Sequence, residues 1–173
     1  MTPRTSPQEP DARRSTGRAR TDYTGAIYGS LLAASVIAGA SALGPFPRLE
    51  LVVILLCTGV VFWAAHVYAD VVGNRLSHQV LTWQEVRQVG AREWPIVQAA
   101  VPPAAALVIS PLLGLGLTGT AWLALGVAVA EQVAWAGAAA LRTGASRLAV
   151  ASAGAVNLVL GLIIVAAKVA VQH

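Results

Sequence analysis

Residues 51–77 read LVVILLCTGVVFWAAHVYADVVGNRLS, and this stretch decides what kind of protein the chain is. It opens as an apolar run long enough to cross a bilayer and then carries His66, Asp70 and Asn74. Four-residue steps on an α-helix turn through about 400°, so the three side chains drift by only about 40° each and share one stripe. Lipid penalises an aspartate at a helix centre by roughly 2.5–3.5 kcal/mol. The stripe therefore faces other helices or a wet cavity, and it is the first candidate for a functional face.

The rest of the chain has the same character. Its 173 residues are 56% hydrophobic and 12% charged, with a mean hydropathy of +0.65. A soluble domain carries about 25% charged residues. No charged residue occurs from 96 to 130. Apolar runs of about 18 residues or more read as transmembrane helices, so the expected fold is an all-α, multi-pass membrane protein. Cys57 is the single cysteine, which excludes an intrachain disulfide and a Cys/His metal cluster. A net charge of +4 would suggest nucleic acid for a soluble protein. Here the basic residues follow membrane orientation, and no nucleic-acid partner is expected.

Residues 1–22 are rich in Pro, Arg, Ser and Thr and are expected to form a disordered basic tail. Residues 23–173 form the membrane domain. The first span, about 25–43, carries Gly25, Gly29 and Ala33 at four-residue spacing, a ladder suited to close helix packing. A tight turn at Gly44-Pro45-Phe46-Pro47 precedes the second span, about 49–73. In the connector 74–94, apolar residues recur at helical spacing between charges, and Thr82 and Glu85 have the form of a capping box. This predicts a short amphipathic helix at the membrane interface, with Trp83 and Trp94 at headgroup depth.

The charge-free run is too long for one crossing of a core about 30 Å thick, so it must hold two spans broken near Gly114–Gly119. The third span is about 95–113, kinked by Pro102, Pro103 and Pro111; the fourth is about 120–141 and the fifth about 148–171. Five spans with the N-terminus in the cytoplasm place all basic residues inside except Arg48 and Lys168, which satisfies the positive-inside rule. The C-terminus is then outside, and Lys168 is expected to snorkel towards the outer surface.

On this topology His66 and Asp70 lie in the inner half, Glu131 and Asn157 lie near mid-membrane, and Tyr28 lies near the inner start of the first span. They are the candidate cation or proton path, together with Asn74. Each has a plainer role available. Asn74 caps the second span, Asp70 pairs with Arg75 or Arg142, His66 bonds a nearby carbonyl, and Asn157 joins two helices. Glu131 is hardest to dismiss, because a carboxylate at mid-bilayer must be protonated, paired or hydrated. His66, Asp70 and Glu131 offer one imidazole and two carboxylates, a donor set suited to a divalent metal cation or to proton relay.

Several stretches resemble the vacuolar iron transporter family. Tyr23-Thr-Gly-Ala-Ile-Tyr-Gly-Ser-Leu-Leu is similar to that family's aromatic-x-x-Gly-Ala-Asn-Asp-Gly opening, Gly73-Asn-Arg-Leu-Ser77 to its Gly-Glu-Tyr-Leu-Ser, and Trp94-Pro-Ile-Val-Gln-Ala-Ala100 to its Asn-Pro-x-x-Ala-Ala. Tyr28 stands where the family has an aspartate, Asp70 where it has a methionine, and Asn74 where it has a glutamate. The family's acidic cytoplasmic metal-binding helices have no counterpart here. The resemblance implies five spans, a cytoplasmic N-terminus, a homodimer with the path near its interface, and metal transport.

The resulting expectation is a small transporter in the cell membrane, moving a divalent cation or coupling it to protons, with Gly25, Gly29 and Ala33 packing the dimer. It is not an enzyme, since no nucleophile is paired with a base. The competing expectation is a scaffold or accessory subunit of a larger membrane complex.

Overall fold

The structure, a computed structural model, describes residues 9–44, 47–75 and 82–171; for 9–22, 74 and 75 it describes the backbone only. The centre of the expected Gly44–Pro47 turn, the first part of the connector and the side chain of Asn74 lie outside the described residues.

Every regular element among them is helical: α1 Glu9–Ala42, α2 Arg48–Arg75, α3 Trp83–Glu93, α4 Pro95–Gln98, α5 Val101–Ile109 followed by a 3-10 turn Ser110–Leu113, α6 Leu117–Arg142 and α7 Arg147–Val171. Five stretches are long and apolar enough to cross a membrane: Tyr23–Ala42, Arg48–Gly73, Trp83–Leu113, Leu117–Arg142 and Arg147–Val171. The chain is a multi-pass helical membrane protein by length and composition of these helices. Helix α1 begins at Glu9, well before the apolar part. No proline interrupts residues 11–44, and nothing in that sequence forces the helix to stop short of Tyr23.

Proline does break the third span. Pro102 and Pro103 cannot donate to the carbonyls of Gln98 and Ala99, and the helix parts there into α4 and α5. Pro111 likewise cannot donate to Leu107. The Ser110 hydroxyl takes its place, donating to the Leu107 carbonyl at 2.8 Å, and the last turn tightens to 3-10 geometry. Gly114 then takes a left-handed φ of 68° and ends the span. Helix α3 begins on the expected capping box: Glu85 N–H donates to Thr82 Oγ1 at 3.4 Å, and Thr82 N–H donates to Glu85 Oε2 at 3.0 Å. It docks on α2, where Trp63 Nε1 donates to the Gly90 carbonyl at 2.8 Å and the Trp63 and Trp94 rings meet edge-on.

Helix α1 lies at the centre. It packs on α2, α4, α6 and α7, and the buried core is mostly small: Ala33, Ala34, Ala100, Ala104, Ala124 and Ala128, filled out by Ile37, Leu55, Leu107 and Leu125. The Gly25–Gly29–Ala33 ladder is part of this interior. A β-carbon on Gly29 would lie 2.6 Å from the Ile96 carbonyl oxygen and 2.8 Å from the Ala99 β-carbon. Gly25 also faces Pro95 and Ile96, but a β-carbon there would meet them at an ordinary 3.5–3.8 Å. The ladder thus seats α4 within the chain. The face expected to pack a dimer is one that α4 occupies within a single chain.

Candidate functional site

The predicted polar residues fall into three separate groups. In the first, the rings of Tyr28 and His66 approach to 5.1 Å, with Phe62 beside them. His66 Nδ1 lies 2.9 Å from the Phe62 carbonyl one turn earlier. A carbonyl only accepts, so Nδ1 is the donor in this bond.

In the second group Asp70 forms an ion pair with Arg92, which also donates to Glu93 Oε1 at 3.3 Å. Both members of the Asp70–Arg92 pair are about one-third exposed. The expected partners were Arg75 and Arg142. Arg92 wins because α3 folds back along α2 and brings its last turn beside Asp70.

The third group is built on α6, reaching α1 through Trp135 and α7 through Gln132. Glu131 sits midway along α6 and accepts a hydrogen bond from Trp135 Nε1 at 3.0 Å, one turn on. Its other oxygen, Oε2, is buried and has no hydrogen-bond partner. Gln132 is fully buried; its Nε2 donates to Asn157 Oδ1 at 3.3 Å, and its Oε1 is also unpartnered. Asn157 in turn donates to the Ala153 carbonyl. Trp135 packs against buried Tyr23, over which the Arg142 guanidinium lies at 5.1 Å. Gln132 is the residue the sequence reading missed. A glutamine in a run of alanine and valine, beside Glu131, was the available signal.

Among the described residues no three His, Cys, Asp or Glu side chains gather where a metal ion would fit. His66, Asp70 and Glu131 therefore do not form one centre in this conformation. Asp70 is held by Arg92 and Glu131 by Trp135, so neither carboxylate turns to His66.

The opposite end of the bundle is also polar. Arg48, at the start of α2, donates from Nε to Ser110 Oγ at 3.2 Å and Thr120 Oγ1 at 3.3 Å, and from Nη2 to the Leu115 carbonyl at 2.5 Å. Lys168, near the end of α7, is only 3% exposed. It donates to Ser41 Oγ at 2.6 Å, and its Nζ stands 4.6 Å over the Trp122 ring. This corrects the expectation that Lys168 snorkels outwards: a hydroxyl and an aromatic face draw it into the bundle. Both cations line a cavity of about 440 Å³.

No protein-family model, curated protein or solved structure matches this chain.

Proposed function

We propose that the chain is a small membrane transporter that moves protons, or a cation coupled to them, past Glu131. The observation that carries this reading is the pair of unpartnered, buried oxygens on Glu131 and Gln132. A helix that only packs does better with leucine at both positions, whereas an intramembrane carboxyl beside an amide suits a titrating or ion-binding step. A proton needs no ligand cage. A divalent cation needs His66, Asp70 and Glu131 to converge in another conformation, with Asp70 released from Arg92. The same reading takes the cell membrane as the location, the N-terminus as cytoplasmic and the C-terminus as external, as the basic residues favour. It lays α3 along the inner surface, with exposed Trp83 at headgroup depth. The resemblance to vacuolar iron transporters and a homodimer belong to this proposal as well.

The test is proton flux in proteoliposomes loaded with a pH-sensitive dye, with and without an added divalent-cation gradient. Glu131→Gln is expected to abolish flux, while Trp135→Phe lowers it only partly. Equal flux in the wild type and Glu131→Gln overturns the proposal. The second reading, an accessory subunit of a larger complex, is favoured by α7, whose membrane span is almost wholly unburied within the chain. It gains if Glu131→Gln transports normally and cross-linkers placed on α7 capture a different protein.

A further inference from the structure

We propose that the cavity framed by Arg48 and Lys168 binds a phosphate group, either free inorganic phosphate or the headgroup phosphate of an anionic lipid. This site lies at the end of the bundle where α6 begins, while Glu131 sits midway along that helix, and it holds whether or not the chain transports.

Among the described residues, two cations share one cavity with no acid paired to them. Among the described residues the only ion pairs are those of Arg92 with Asp70 and Glu93. Glu50, two residues after Arg48 and so on the other side of the first turn of α2, is exposed and forms no pair with it. Neutral groups hold the cations instead: hydroxyls of Ser41, Ser110 and Thr120 and the carbonyl of Leu115. Such partners orient a cation and leave its charge uncompensated. Burying it this way is costly unless a counter-ion joins it.

Donor geometry also matches an oxyanion. Arg48 uses its Nε–H and Nη2 on the described residues, so its Nη1 hydrogens remain to be given. Lys168 gives one proton to Ser41 and keeps the others. Thr118 adds a hydroxyl to the lining. The first turns of α2 and α6 border the same space, through Arg48, Leu51, Leu117 and Thr118, and helix N-termini add partial positive charge there. A planar fork beside a compact ammonium is the pairing that fits a tetrahedral anion bearing more than one oxygen. At about 440 Å³ the cavity has room for such a group, and exposed Leu117 gives its lining an apolar side for an acyl chain.

The test uses the full-length protein. Thermal unfolding in neutral detergent is followed with inorganic phosphate against chloride at equal ionic strength. A parallel series uses phosphatidylcholine nanodiscs with and without phosphatidylglycerol. Trp122 emission supplies a second readout, because the Lys168 ammonium lies over its ring. The wild type is expected to gain stability from phosphate, from phosphatidylglycerol or from both. Stabilisation by phosphate alone identifies a soluble ligand, and stabilisation by phosphatidylglycerol alone identifies a headgroup; either supports the site. Lys168→Met should weaken the apparent affinity at least tenfold and Arg48→Gln at least as much, while Arg147→Gln, a charge loss at the start of α7, leaves it unchanged. Lys168→Met removes an unpaired buried charge and is expected to fold, so the test stands even if Arg48→Gln does not. The proposal is overturned if neither phosphate nor phosphatidylglycerol stabilises the wild type beyond its control, or if Lys168→Met and Arg147→Gln lose the same affinity.

Discussion

Helices α1 and α7 look alike on paper and are used in opposite ways. Both are apolar, both are rich in glycine and alanine, and both would pass as close-packing helices. Nearly half of the membrane portion of α1 is buried by the rest of the chain, and almost none of α7 is. The more apolar of the two is the more exposed. In lipid that is the sensible arrangement, because a helix facing acyl chains must be apolar all round, whereas a central helix needs small side chains more than greasy ones. The polar residues differ too. In α1 Ser30, Ser35 and Ser41 donate back to their own helix at Ile27, Leu31 and Ile37. In α7 Asn157 and Lys168 reach across to α6 and α1. So α1 is fixed by shape on several sides, and α7 packs on one face, closely at Gly161 against Val129, with a few polar links added.

The sharpest way to break that contrast is Gly29→Leu. Its first side-chain carbon already overlaps a backbone oxygen at Ile96, and a backbone cannot swing aside as a side chain can. Overpacking costs about 1–3 kcal/mol where neighbours can move. Here we expect a loss above about 3 kcal/mol, read as a lower unfolding temperature and aggregation on size-exclusion chromatography in mild detergent. Wild-type stability with a weakened dimer would instead return the ladder to the surface between chains.

Gly161→Leu is the matching test in α7 and should cost less. A β-carbon there would meet Val129 Cγ1 at 2.7 Å, and that contact is with a side chain. We expect a loss of about 1–3 kcal/mol. Adding Val129→Ala should recover much of it, since the obstruction is then gone. The same recovery is not expected for Gly29→Leu with any change at Ile96, because the atom in the way is main chain. If Gly161→Leu proves as damaging as Gly29→Leu, α7 is held as tightly as α1 and the contrast fails.

These two glycines also show what the sequence carried and what it did not. Five apolar runs, the prolines of the third span and the Thr82–Glu85 cap were all legible, because each rests on residues close together in the chain. The boundaries of α2, α6 and α7 follow the expected runs to within three residues. A ladder of small residues says that something approaches closely, but not whether the neighbour is the same chain. The partner of Asp70 depended on how α3 turns back, which no local pattern encodes. Glu131 and Asn157 are legible as polar groups within apolar runs, yet the distance between helices α2 and α6 is not there to be read. The cavity at Arg48 and Lys168 was hidden because both residues had a sufficient explanation as outside charges. The hydroxyls at Ser41, Ser110 and Thr120, all at helix ends assigned to that same side, were the signal.

The smallest effect should come from the polar tether itself. Gln132 and Asn157 join α6 to α7 by one hydrogen bond of 3.3 Å, near the long end of the normal range. Polar links between membrane helices average about 0.6 kcal/mol, since the unfolded chain in a membrane finds other partners. A double-mutant cycle with Gln132→Leu and Asn157→Leu should therefore give a coupling of about 0.6 kcal/mol. Each single change leaves the other amide without its partner and should cost more than the pair together. Gln132 already has an unpartnered oxygen, and so Gln132→Leu removes a liability along with a bond. We expect Asn157→Leu, which strands the buried Gln132 amide, to be the more harmful single change. A coupling well above about 2 kcal/mol would mean that the link forms part of a larger polar network with Glu131, and that α7 is fixed to the bundle by chemistry as firmly as α1 is by shape.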